Sequence, residues 1–127
     1  MSNAAFPTLI NLIRAHSMIE ERVSGELAAI HGLALNEALL LMHLERAPLH
    51  RLTRVDLAKR LHLNPSTVTR MAAPLEKTGL ALVGEVRATL EKRAQGFFRD
   101  RWSEAEITQL SSLLGRLVAS EPGDLVG

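Results

Sequence analysis

The stretch Pro65-Ser66-Thr67-Val68-Thr69-Arg70 places three hydroxyl side chains and an arginine within six residues. Short hydroxyls can meet phosphates and either type of base edge at close range, and the arginine fork can grip guanine through two hydrogen bonds. Arg51, Arg54, Lys59 and Arg60 lie just upstream. They would add attraction to a phosphate backbone that does not depend on base sequence. Taken one at a time, Ser and Thr near a helix start read as caps, and a lone Arg reads as solvated surface. The charge distribution favours the joint reading. Residues 46–70 carry six basic groups against Asp56 alone, a balance of +5, whereas residues 1–45 sum to −3 and residues 71–127 to −1. The net charge of +1 therefore conceals a basic block on one local unit.

Other chemistry is poorly supplied. The chain has no cysteine, which excludes disulfides, thiolate metal sites and thiol nucleophiles. With three Phe, one Trp and no Tyr, it lacks the aromatic platforms on which single-stranded nucleic acid is stacked. The histidines at 16, 31, 43, 50 and 62 are scattered, and no pair has the i, i+4 spacing of a helical metal site. Neither a glycine-rich phosphate loop nor a nucleophile elbow occurs, and Glu20-Glu21 reads as a solvated helix face. The expectation is a protein that is not an enzyme and uses no cofactor or metal. No apolar run approaches the roughly 20 residues of a membrane span, and no basic stretch followed by an apolar one opens the chain. A cytoplasmic protein without a membrane partner is expected.

The elements that must position the hydroxyl cluster are helices. Leu9, Leu12, Ile13, Ile19, Val23, Leu27 and Ile30 recur at threes and fours, predicting a helix over 7–31 that stops at Gly32. Its apolar stripe exceeds what one small core needs, so part of it should pack on a second subunit. Asn36 is expected to cap a short helix from Glu37 to Arg46, ended by Ala47-Pro48. Thr53 with Asp56 predicts a helix over 54–61, and Asn64 with Pro65 predicts another over 65–77. Only His62-Leu63-Asn64 separates those two, which is a helix-turn-helix arrangement. Val55, Leu57, Ala58 and Leu61 should face Val68 and Met71, with Leu63 plugging the turn. Pro74 should remove a hydrogen bond and bend the second helix beyond its reading turn. A charged helix follows over 85–99. Ser103 and Glu106 then make a capping box before the stripe Ile107, Leu110, Leu113, Leu114, Leu117 and Val118, with Trp102 expected beneath that last helix.

The run from Asp56-Leu57-Ala58-Lys59-Arg60-Leu61 through Pro74-Leu75-Glu76-Lys77-Thr78-Gly79-Leu80 closely resembles the MarR family of bacterial transcriptional regulators. His31-Gly32-Leu33-Ala34-Leu35 is similar to that family's loop between its first two helices, and Trp102-Ser103-Glu104-Ala105-Glu106 to the entry of its last dimerisation helix. The resemblance implies a mainly α fold: a single winged helix-turn-helix domain over 1–127. Residues 1–32 and 84–127 would be dimerisation helices, and 33–83 the DNA-binding part. It implies a homodimer that binds double-stranded DNA at a pseudo-palindromic operator, as a repressor rather than an activator. Groove-facing positions would fall on Ser66, Thr67, Thr69 and Arg70, with Arg54 on the DNA backbone. A small aromatic effector would occupy a cleft drawing on Leu12, His16, Met42 and His43. The lack of cysteine removes the branch of the family that senses peroxide through a thiol.

The wing departs from the family pattern. A hairpin of two strands and a turn needs about twelve or more residues. Between Gly79 and the helix expected at Glu85 there is only Leu80-Ala81-Leu82-Val83-Gly84. Leu80–Val83 resembles a first wing strand, and the second is missing after Val83. Two readings follow: the chain is wingless, or a hairpin is missing from the sequence between Val83 and Gly84, which is the favoured one and predicts a break at that bond. A truly wingless chain would favour a different function, a dimer that serves as a protein-interaction module without operator binding.

Overall fold

The computed structural model describes residues 3–126, with the side chains of residues 76–78 left aside. The chain divides into two compact units, Met1–Leu35 and Asn36–Gly127. The first is one long helix, α1, over Ala5–His31. Its start is reinforced where the Thr8 hydroxyl donates to the Ala4 carbonyl at 2.7 Å. It ends at Gly32, whose φ of 68° is left-handed and whose N–H turns back to the carbonyls of Ala28 and Leu27. Val23, Leu27 and Leu33 are buried, while Phe6, Leu9, Ile13 and Ile30 are each more than half exposed. The apolar excess read from the sequence is therefore open to solvent in the single chain.

The second unit contains α2 (Leu35–Arg46), α3 (Arg54–Leu61), α4 (Pro65–Thr78), α5 (Val83–Phe98) and α6 (Glu104–Leu117). Its core gathers Ala38, Leu40 and Leu41 of α2 with Leu57, Ala58 and Leu61 of α3, Val68 and Leu75 of α4, and Val83, Val86 and Phe97 of α5. Arg87 of α5 donates to Glu45 of α2 at 2.7 Å. The partly buried pair ties the two helices across the core. Asn36 lies within the first turn of α2, because the helix begins one residue earlier, at Leu35; helix starts are uncertain by about that much from sequence. Pro74 is carried inside α4, which continues to Thr78.

Four expectations are corrected here. Leu80–Val83 is not a strand: Leu80–Leu82 form a single 3-10 turn, closed by the Val83 N–H on the Leu80 carbonyl, and Val83 already belongs to α5. A strand needs a partner for its backbone groups, and no strand occurs among the described residues. Without one, a helical turn satisfies those groups locally. Val83 and Gly84 are consecutive residues of the first turn of α5, so the expected break between them is not found. Val55 is 52% exposed instead of facing α4. At 100° per residue it points more than a right angle away from the mean direction of Leu57, Ala58 and Leu61. Trp102 is likewise 40% exposed. It stacks on Phe98 at 5.5 Å between ring centroids, outside the core beneath α6.

The capping box of α6 forms as expected: Glu106 N–H donates to Ser103 Oγ at 3.2 Å, and Ser103 N–H to Glu106 Oε1 at 2.9 Å. Yet α6 has no buried residue, and Leu113, Leu114, Leu117 and Val118 are exposed. The packing of α3 on α4 can be tested by two truncations of nearby residues. Leu57→Ala should lower stability by about 2–5 kcal/mol in urea unfolding, and Val55→Ala by no more than about 0.5 kcal/mol. Equal losses would contradict the orientation given for α3.

Candidate nucleic-acid interface

The helix-turn-helix is closed by a left-handed residue that is not glycine. His62 sits at φ 56° and ψ 43°, and its N–H returns to the Ala58 carbonyl. Leu63 N–H bonds the same carbonyl at 2.9 Å. These two bonds end α3 and aim the chain into α4 within three residues. Leu57 and Leu61 on one side and Val68 on the other are buried, so the angle between the helices is held by close-packed apolar side chains.

Asn64 then starts α4. Its Oδ1 accepts from Thr67 N–H at 2.9 Å, the ordinary N-cap bond. The same oxygen also accepts from Ser66 Oγ at 2.7 Å and Thr67 Oγ1 at 2.9 Å. A carbonyl oxygen has two lone pairs. With the backbone N–H taking one, the two hydroxyls compete for the other. At any moment one of them can turn its proton outward to an acceptor while the other presents only lone pairs. This pair can therefore meet either a donor or an acceptor in a groove, and Asn64, read from the sequence only as a cap, sets that choice. The spacing of hydroxyls two and three residues after the cap was the available signal.

One turn further on, Thr69 Oγ1 donates to the Pro65 carbonyl at 3.0 Å and accepts from Arg54 Nη1 at 2.9 Å. The Arg54 guanidinium, carried on the first residue of α3, is thus held against α4. Arg70 Nη2 approaches Thr67 Oγ1 at 3.4 Å, a long contact that leaves most of its donors outward. Arg54, Val55, Pro65, Ser66, Thr69 and Arg70 line one shallow depression. Four of the five groove or backbone positions expected from the sequence converge there, and Thr67 borders them through its bond from Arg70. The apolar neighbour is Val55, whose exposure is now intelligible as part of this surface.

The remaining basic residues lie elsewhere. Arg51 is exposed on the extended stretch before α3. Lys59 borders a different depression with His62, Pro65 and Glu121, and Arg60 is half-buried against the chain that follows α6. Of the positions expected to line an effector cleft, Leu12 and His16 belong to the α1 unit, where the His16 side chain is 75% exposed and 3.7 Å from Glu20. Met42 and His43 belong to the other unit and are buried. Among the described residues no group of three or more His, Asp or Glu side chains is arranged to hold a metal ion.

The cap gives a direct test. Asn64→Ala should lower stability by roughly 0.5–2 kcal/mol in urea unfolding, with Asn64→Asp retaining most of it. No loss in the alanine variant would mean that the three bonds to Oδ1 do not form.

Among the described residues no single helix is long and apolar enough to cross a membrane. Neither the curated proteins nor the solved structures contain a match to this chain. Residues 33–81, less than half of the chain but including α2, α3 and α4, match the MarR family. That segment is therefore similar to the MarR family, whose members are DNA-binding transcription regulators.

Proposed function

We propose that the protein is a sequence-specific, double-stranded-DNA-binding transcriptional regulator. It acts as a homodimer on a pseudo-palindromic operator, as a ligand-responsive repressor. The observation that carries this reading is the bond from Arg54 to Thr69, which puts a guanidinium from α3 beside the reading turn of α4. The start of α4 enters the major groove. There Arg70 takes guanine through O6 and N7, and Ser66, Thr67 and Thr69 meet neighbouring base edges. The Ser66 N–H at the helix start, together with Arg54, takes the adjacent phosphates. Arg51, Lys59 and Arg60 add general attraction to the backbone.

The exposed apolar faces of α1 and α6 support the homodimer, since a second copy would remove them from water. In such a dimer the two α4 helices would read successive major grooves about 34 Å apart. A ligand would act by shifting the dimer between spacings that fit this repeat and spacings that do not.

The lack of any strand after α4 among the described residues favours a second reading, a wingless dimer that acts as a protein-interaction module without an operator. A mobility-shift assay with the DNA upstream of the protein's own gene separates the two. Specific retardation supports the regulator, and its absence supports the module. If the regulator reading holds, Arg70→Ala should weaken specific binding by roughly 1–3 kcal/mol while leaving dimerisation intact. Wild-type affinity should also fall steeply with added salt. A flat salt response would contradict phosphate-driven binding.

A further inference from the structure

The chain that follows α6 turns back over α2 and α3. Arg46 Nη1, on the last residue of α2, donates to the Leu125 carbonyl at 3.1 Å. Gly123 lies against the His43 ring and the Arg60 stem: a Cβ there would sit 2.8 Å from His43 Cε1 and 3.0 Å from Arg60 Cγ. Its φ of +98° is one that side-chain-bearing residues rarely adopt, so two independent requirements select glycine. Glu121 and Pro122 border Lys59, His62 and Pro65. Asp124 shares a second depression with Arg60 and His62.

Beneath this segment His43 is buried, and its Nδ1 has no hydrogen-bond partner among the described residues. An apolar residue would fill the same space without that cost. The charged group acting on it across the contact is Arg60 of α3. Its own helix adds Arg46, bound to Leu125, and Glu45, paired with Arg87 of α5. The overlying segment supplies glycine at the point of contact, with its carboxylates, Glu121 and Asp124, bordering the basic residues of α3 and the turn.

We propose that residues 121–125 form a latch, closed over α2 and α3 while His43 is neutral and opened when His43 takes up a proton, uncovering Arg60 and drawing Glu121 away from the depression that Lys59 borders. Closed, the latch sets Glu121 and Asp124 on the same depressions as these cations, where their negative charge weakens the pull on an anionic partner. That this partner is DNA rests on the function proposed above; the latch itself does not. Burial first, and Arg60 second, hold the His43 pKa below its ordinary 6.5. The closed form therefore binds fewer protons than the open form, so closure is favoured above the ordinary histidine range and lost as pH falls below it.

The test is the heteronuclear NOE of the backbone amides of residues 121–125 in the full chain without DNA, followed from about pH 8 to about pH 5. The wild type should show ordered values at the upper end that collapse towards those of a free terminus as His43 titrates. His43→Phe keeps a ring but takes no proton, and should stay ordered throughout. Gly123→Ala, which cannot make the close approach, should be disordered at every pH. A wild-type segment equally ordered at both ends would overturn the proposal. So would a Gly123→Ala segment as ordered as wild type, or a His43→Phe segment that opens over the same pH range. Because no DNA is present, failure here is distinct from failure of the DNA-binding reading.

Discussion

Three residues join α3 to α4, and the surface around the start of α4 depends on how that turn is closed. Ala58 accepts N–H groups from both His62 and Leu63, Asn64 accepts from the start of α4, and Leu57, Leu61 and Val68 fill the space between. The backbone bonds fix where α4 begins, and the apolar contacts fix its angle. Arg54 can then reach Thr69, fifteen residues later in sequence, because both ends of the span are held. If the turn were slack, Arg54, Ser66 and Arg70 would be separate solvated side chains. Held as they are, they present one surface with cationic, donor and acceptor groups in fixed relation.

The local features of this arrangement were legible in the sequence. Pro65 at a first helical position, Asn64 before it, Thr53 three residues ahead of Asp56 and the Ser103–Glu106 pair each mark a helix start by chemistry that acts within one turn. The features that sequence reasoning misplaced depend on partners far along the chain. Leu80–Val83 looks strand-like on its own, but a strand exists only if another strand pairs with it, and none is described. Val55 and Trp102 are apolar side chains whose burial depends on which face of a helix meets a neighbour. Lys59 and Arg60 belong to the basic block by sequence, yet the chain beyond α6 lies against them. The Arg54–Thr69 bond had no local signature at all.

Charge and apolar surface are distributed in complementary ways. The basic block surrounds the helix-turn-helix, whereas most of the exposed large apolar side chains lie on or beside α1 and α6, before and after it. A chain of this length buries its core around α2 to α5 and leaves apolar side chains of the two flanking helices facing water. Such faces are costly for an isolated molecule and are what a partner surface would remove. The short connection from α4 to α5 is the marked departure from a winged domain. With only a single 3-10 turn there, the proposed DNA contact would fall to α4 and the residues around its start.

The proposed DNA-binding surface is the start of α4 with Arg54 beside it. It is tested most directly by following backbone amides and arginine side-chain signals by NMR while a duplex from the protein's own upstream region is added. The largest changes should fall on residues 64–70 and on the guanidinium signals of Arg54 and Arg70, with the faces of α1 and α6 little altered. Saturating binding with no change at those positions, or changes confined to α1 and α6, would contradict it.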